Sequence, residues 1–237
     1  MDTGKLISKI IGKTIFKYKM IEENDRILVA VSGGKDSLTL LKDFIRRQKS
    51  FPIKFEFHAI HIKSDFCKCC DKKNLSEVFE EWGTLYTILD VNIIKRLKPG
   101  RQMNCYWCSM QRRIELMKFA KDNGYNKIAL GHHLDDIIET LFMNICHKGE
   151  ISSMLPVLQY DKYPIKIIRP LSEVKEDLIK KYVVEQDFII FPCACPYNMN
   201  SKRKEIRESI KAFTKGNDTI KYNIFKSINN VNMKYLI

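Results

Sequence analysis

Apolar positions along the chain follow two rhythms, dense short runs and longer stretches spaced three or four residues apart. Leu6, Ile7, Ile10, Ile11, Ile15 and Phe16, separated by lysines, predict an amphipathic helix over 5–19. Dense runs predict strands at 27–31, 55–62, 85–91 and 127–130. Helical spacing predicts helices over 36–47, 75–82, 110–121 and 135–145. After Ile167–Pro170 the pattern predicts helices over 172–184 and 201–213. The Asn- and Lys-rich stretch that follows fits either a small helix or frayed chain. Strands alternating with helices predict an α/β fold, a parallel sheet flanked by helices on both faces. The implied organisation is an N-terminal helix (1–24), a main domain (25–200) and a basic helical extension (201–237).

The strand predicted at 27–31 ends in Ser32-Gly33-Gly34-Lys35-Asp36-Ser37, and a helical pattern follows at once. Two glycines let the backbone turn and approach a ligand without a Cβ in the way. The N–H groups of the loop and of the first helical turn then converge, aided by the helix dipole. Ser32 and Ser37 add hydroxyls, and Lys35 a mobile cation. Such a cradle suits a pyrophosphate. Its spacing is not the Walker pattern. The segment resembles the loop of the PP-loop ATP pyrophosphatases, which cleave ATP between its α and β phosphates to adenylate a substrate. That resemblance implies the adenine nucleotide alpha hydrolase-like version of the Rossmann-like fold.

Gly131-His132-His133-Leu134-Asp135-Asp136 follows another predicted strand. Gly131 would let the backbone approach a base or sugar. Asp135 and Asp136 can hold Mg²⁺. Read alone, the segment is better explained as a capped helix start with surface histidines. In chain order it is similar to the Gly-His-His/Asn-x-Asp-Asp segment of PP-loop tRNA-modifying enzymes, whose last aspartate implies a catalytic role for Asp136.

The formal net charge is +13, from 41 Lys and Arg against 28 Asp and Glu, which favours a polyanionic partner. No run reaches the length of a membrane span. The N-terminal stretch lacks the apolar core and cleavage site of a secretory signal. Eight cysteines in that setting predict a reducing, cytoplasmic compartment, where thiols bind metal or do chemistry.

Cys105-Tyr106-Trp107-Cys108 begins the helix that carries Arg112 and Arg113, so the dipole and the guanidinium groups favour thiolates. Pro192-Cys193-Ala194-Cys195-Pro196 lies far downstream. Three thiolates from the two segments would leave an iron–sulfur cluster with one iron open. Four would close a structural zinc site. Spacing alone leaves both, as well as a cluster-free persulfide chemistry and a nucleotide-binding redox sensor. Cys67, Cys69 and Cys70 read as surface thiols, with an extra metal or sulfur-relay site as the alternative, and Cys146 as a core residue.

Taken in order, the phosphate loop, C-x-x-C with Arg-Arg, Gly-His-His-x-Asp-Asp and the late Pro-Cys segment resemble the TtcA/TtuA group of tRNA thiolases. Glu139–Asn144, Arg169-Pro170-Leu171 and Val174-Lys175-Glu176 are similar to its 2-thiocytidine branch. The resemblance covers about Ile27 to Pro196. It implies adenylation of the C2 oxygen of a tRNA base and its replacement by sulfur, with ATP, Mg²⁺ and a [4Fe–4S] cluster as cofactors. By motif, Cys105, Cys108 and Cys195 hold the cluster, with Cys193 competing for the third place. Asp36, Arg112 and Asp136 are the implied catalytic residues. Ser32, Gly33, Gly34, Lys35, Asp36, Ser37, His61, Gly131 and Asp136 are the implied nucleotide and Mg²⁺ contacts, and Tyr106 or Trp107 would stack on the base. The implied partners are tRNA and a sulfide or persulfide donor such as a cysteine desulfurase. No membrane is involved, and a homodimer is left open. A 2-thiouridine product by the same chemistry, or lysidine synthesis, are the rival readings within the superfamily.

Overall fold

The structure, a computed structural model, describes residues 2–66, 75–160, 163–191 and 202–235. A six-stranded sheet in the order β3-β2-β1-β4-β6-β5 organises it. Its strands are β1 (Asp25–Ala30), β2 (Phe55–Ser64), β3 (Tyr86–Val91), β4 (Lys127–Ala129), β5 (Val157–Gln159) and β6 (Lys166–Ile168). All pairings are parallel except β5 with β6. The sheet is mostly parallel and flanked by helices, as the alternation of strands and helices predicts, and β5 adds an antiparallel edge strand that the pattern did not mark. Its three residues are half-exposed or exposed and carry no dense apolar run.

The period-2 alternation of the strands sorts the core into two layers. Ile27, Val29, Phe57 and Ala59 face one side of the sheet, against Leu38, Leu41 and Phe44 of α2 (Lys35–Ser50), Ile7, Ile11 and Ile15 of α1 (Thr3–Lys17), and Ile179 of α6 (Glu176–Glu185). Leu28, Ile60, Ile62, Ile128 and Ile167 face the other side, against Leu116, Met117 and Ala120 of α4 (Cys105–Asp122). α3 (Leu75–Glu81) covers the β3 end of the first layer through Val78 and Phe79. Each fully buried Leu or Ile contributes about 1.5–3 kcal/mol, so α1 is an integral layer of the core. The N-terminal amphipathic helix packs as its pattern predicts.

A third cluster joins α5 (Leu134–Lys148), α7 (Lys202–Thr214) and α8 (Asp218–Ser227) through Leu134, Ile137, Ile138, Ile206, Ile210 and Phe225. The Asn- and Lys-rich tail thus forms a real helix. Cys146 is exposed in the last turn of α5, beyond that cluster, which corrects its reading as a core residue. α6 begins four residues later than its apolar pattern suggests. Glu176 N–H donates to Asp135 Oδ2 at 2.8 Å, so an aspartate from α5 caps it from outside. Among the described residues no helix is long and apolar enough to cross a membrane.

Chain order reverses at β1, whose neighbours are β2 and β4. A crevice at the carboxyl ends of parallel strands opens at such a switch point.

Candidate active site

The loop after β1 is tied by its own hydroxyls. Ser32 N–H donates to Ser37 Oγ at 3.1 Å, and Ser37 Oγ–H donates to the Gly34 carbonyl at 2.9 Å. Gly33 has φ +86°, a left-handed conformation that disfavours a side chain, and a Cβ there would lie 3.1 Å from Phe191 Cβ. Phe191 N–H also donates to the Gly33 carbonyl at 2.9 Å. Gly34 is the N-cap of α2 and supplies no side-chain hydrogen bond, so the first N–H groups of α2 stay open toward the crevice.

Gly131 lines the crevice and also makes a close backbone approach: a Cβ there would sit 3.1 Å from Asp36 C and Ser37 N, so its backbone packs on the first turn of α2. The two glycine-bearing strand ends are thereby locked together.

A cavity of about 330 Å³ opens at this junction. One side is apolar, with Ala30, Val31, Ile60, Ile62 and Leu130. Ser32, Asp36, Ser37, His61, His132 and Asp136 supply polar groups, and Ser109, Arg112 and Arg113 of α4 form the far wall. His61 is 4 % exposed and its Nδ1 donates to the Val31 carbonyl at 2.8 Å. Burial draws this imidazole below its ordinary range, against the carbonyl's pull and with the Arg112 charge.

Two carboxylates meet around His133. Asp136 N–H donates to His133 Nδ1 at 3.3 Å, and His133 N–H donates back to Asp136 Oδ2 at 3.1 Å, a capping box at the start of α5. With Nδ1 accepting, the neutral ring carries its proton on Nε2. That nitrogen lies 3.7 Å from Asp36 Oδ1 and 3.5 Å from Asp136 Oδ2. Asp36 Oδ1 is buried with no hydrogen-bond partner. An orphaned carboxylate oxygen beside a second carboxylate fits a divalent cation, which prefers such ligands. Asp135 points elsewhere, to the α6 N-terminus and to Lys221 of α8 at 2.9 Å.

Lys35 is held between two carboxylates. Its Nζ lies 3.0 Å from both Asp36 Oδ2 and Glu176 Oε1. Burial pulls Lys35 down, but the two carboxylates outweigh it and raise it. Burial likewise pushes Glu176 up, yet hydrogen bonds from Lys180 and Lys35 bring it to about 2. Glu176 was visible only as part of Val174-Lys175-Glu176. Its pairing with Lys35 joins residues 141 positions apart in the chain and leaves no local pattern. From α7, Arg203 reaches within 3.6 Å of Asp136 Oδ1, and Arg207 Nε donates to the buried Glu139 at 2.6 Å.

Cys105 and Cys108 occupy the first turn of α4, capped by Asn104, whose Oδ1 accepts from Trp107 N–H at 2.9 Å. Cys105 lies four residues before Ser109, and Cys108 four before Arg112, so each thiol is one helical turn from a residue that lines the cavity. The dipole favours thiolate there. Tyr106 is 77 % exposed, while Trp107 packs into the second core layer. Cys67, Cys69, Cys70, Cys193 and Cys195 lie outside the described residues.

Residues 6–212 match the model of the PP-loop domain. The chain is a member of the PP-loop family. This PP-loop protein is 36 % identical to a tRNA-cytidine(32) 2-sulfurtransferase of Vibrio parahaemolyticus, over 98 % of its own length and 79 % of the relative's. It is 34 % identical to the Haemophilus influenzae protein of the same name, over 98 % and 75 %. In fold it is similar to the U34-tRNA thiolase NcsA of Methanococcus maripaludis, with its [4Fe-4S] cluster, at TM-score 0.80 and 23 % identity over 98 % of this chain and 79 % of that one. NMN synthetase of Francisella tularensis shares the fold more distantly, at TM-score 0.55 and 13 % identity over 96 % and 93 %.

Proposed function

We propose that the protein is an ATP-dependent tRNA sulfurtransferase that converts a cytidine, at position 32 as in its named relatives, to 2-thiocytidine. One observation carries this reading. The phosphate loop and Ser109, Arg112 and Arg113 of α4, one helical turn beyond Cys105 and Cys108, line a single cavity.

ATP lies with its base in the apolar crevice and its β and γ phosphates on the open N–H groups of α2. Lys35 exchanges its carboxylate partners for phosphate oxygens. Asp36 and Asp136 hold the Mg²⁺ that accompanies ATP. The cytosine O2 attacks the α phosphorus in line, the Pα–O bond to the β phosphate breaks, and pyrophosphate leaves. Loop N–H groups and Lys35 stabilise the charge that develops on it. Sulfide then attacks C2, AMP departs with the former O2, and loss of the S–H proton leaves the C2 thiocarbonyl. Arg112 faces this second step from α4.

Cys105 and Cys108 fit two of the three protein ligands of a [4Fe–4S] cluster. Both are thiols on one helical turn, at a dipole end that favours thiolate. Cys195, with Cys193 as the competitor, is the third. When bound, the cluster supplies a coordination site for the incoming sulfur. The basic surface behind the net charge of +13 binds the tRNA backbone, and a target base turned out of its loop reaches the cavity.

The test is anaerobic incubation of the full chain with tRNA, ATP, Mg²⁺ and sulfide, followed by nucleoside mass spectrometry. Appearance of 2-thiocytidine with stoichiometric AMP is expected. ATP turnover that ignores tRNA would overturn the reading. Iron and acid-labile sulfide that persist in Cys105→Ala and Cys108→Ala would overturn the ligand assignment.

A further inference from the structure

His132 follows Gly131 at the open end of β4, between Leu130 of the apolar crevice and the first turn of α2. Its Nδ1 lies 3.4 Å from Nε of Arg169. A guanidinium N–H only donates, so Nδ1 is the acceptor, and the proton of the neutral ring resides on Nε2. The adjacent His133 reaches the same tautomer by a different route, through the α5 cap.

Arg169 is 4 % exposed. Its guanidinium also donates to the Leu155 carbonyl, and among the described residues it meets no carboxylate. A buried cation without a counter-ion is costly to keep. Burial, and then the Arg113 charge, draws it down to about 10, which leaves it protonated at neutral pH. Its position behind the imidazole explains its retention. Arg169 from the β6 side, Arg203 of α7 and Arg113 of α4 oppose a positive charge on His132, while Asp136 of α5 favours one. Burial is the largest cause, and together these hold His132 at about 4. The ring is neutral at neutral pH.

We propose that Arg169 is a positioning residue that locks His132 as a neutral Nε2–H donor, and that this N–H hydrogen-bonds a non-bridging oxygen of the α-phosphate of the nucleotide on the phosphate loop. A nucleotide with its base in the crevice and its β and γ phosphates on α2 presents the α-phosphate to this stretch of wall. The donor keeps its proton throughout and adds no net charge, so it stabilises the pentacoordinate phosphorus while leaving the Mg²⁺ ligands undisturbed. This rests on the nucleotide reading of the cavity, and the test separates the two.

The full-length protein, with its five histidines labelled with ¹⁵N, is examined by long-range ¹H–¹⁵N correlation, with the His132 signals identified by His132→Gln. Expected is a protonated Nε2 and a bare Nδ1 across neutral pH, with the Nε2 signal moving when α,β-methylene-ATP binds. Arg169→Met mixes the tautomers and lets the ring titrate nearer the ordinary histidine range, and Arg169→Lys restores the single form. His132→Ala lowers kcat about 10²-fold and changes the affinity for α,β-methylene-ATP less than threefold. An Nδ1–H ring or an imidazolium at neutral pH in the unaltered protein overturns the proposal, and that reading needs no variant to fold. So does an unmoved Nε2 signal when calorimetry reports nucleotide binding. If calorimetry reports no nucleotide binding at all, the function itself is wrong, and the phosphate contact falls with it even where the tautomer stands.

Discussion

Gly131→Ala is the sharpest probe of how the two strand ends are joined. Gly131 has no positive φ, so alanine meets no backbone strain, and its whole effect is steric. The new Cβ would stand 3.1 Å from Asp36 C, 3.1 Å from Ser37 N and 3.2 Å from Ser37 Cα. Ordinary contacts need several tenths of an ångström more. Those atoms are helix backbone, held by Ser37 Oγ on the Gly34 carbonyl and by the fully buried Leu38 and Leu41, so no flexible side chain can swing away. Overpacking of this kind costs about 1–3 kcal/mol. At about 2–4 °C per kcal/mol for a chain of this size, the melting temperature falls by roughly 2–12 °C. The displaced atoms carry the N–H groups proposed to bind phosphate, so α,β-methylene-ATP should bind about tenfold more weakly, for the loss of one well-placed hydrogen bond. Gly34→Ala is the control. Its Cβ meets only Ser32 Oγ, at 3.5 Å, so the melting temperature stays within about 2 °C, as for the small cost of losing a glycine N-cap. Scanning calorimetry and titration calorimetry read both effects. A Gly131→Ala protein that melts and binds like its parent would refute the argument that this close approach sets the loop.

Glu176→Gln removes a carboxylate whose folded-state value is depressed from 4.5 to about 2, because Lys180 and Lys35 outweigh burial. Such a group stabilises fully above its unfolded range and loses that contribution as pH falls toward 2. The variant should therefore lose less stability than the parent between about pH 4.5 and pH 2, and identical acid melting curves would contradict the pairing. Arg207→Ala strands the buried Glu139, which among the described residues keeps Arg203 at 3.7 Å, and should cost about 1–3 kcal/mol in urea unfolding. A midpoint equal to the parent's would show that α7 is not fastened there. Cys105→Ala and Cys108→Ala should each abolish iron retention after anaerobic purification, whereas the exposed Cys146→Ala retains it. Iron lost from the Cys146 variant would redirect attention to the end of α5.

Strands β1, β2 and β3 and helices α1, α2 and α7 begin and end within about three residues of their hydrophobic patterns, because dense runs and helical spacing respond to burial on a sheet or a stripe. The phosphate loop was equally legible, since glycines, hydroxyls and a lysine sit within six consecutive positions. What escaped were long-range pairings. Asp135 capping α6, Glu176 holding Lys35, and Arg169 behind His132 each join residues tens of positions apart through one hydrogen bond or ion pair. A polar residue engaged in this way has no periodic neighbours to betray it. The close approach of Gly131 to the first turn of α2 was not legible either, because composition tells that space is short but not what fills it. Cys146 misled for the opposite reason. Its apolar setting continues a helix past the point where its packing partners stop.

The Phe191 amide on the Gly33 carbonyl, with its ring over the glycine, has a bearing on synthesis. The phosphate-binding turn is encoded near the start of the chain, yet the residue that closes over it is translated long afterward. A nascent polypeptide carries β1, α2 and β2 long before it carries Phe191, so the contact that closes over Gly33 forms only once that residue has emerged and returned to the beginning.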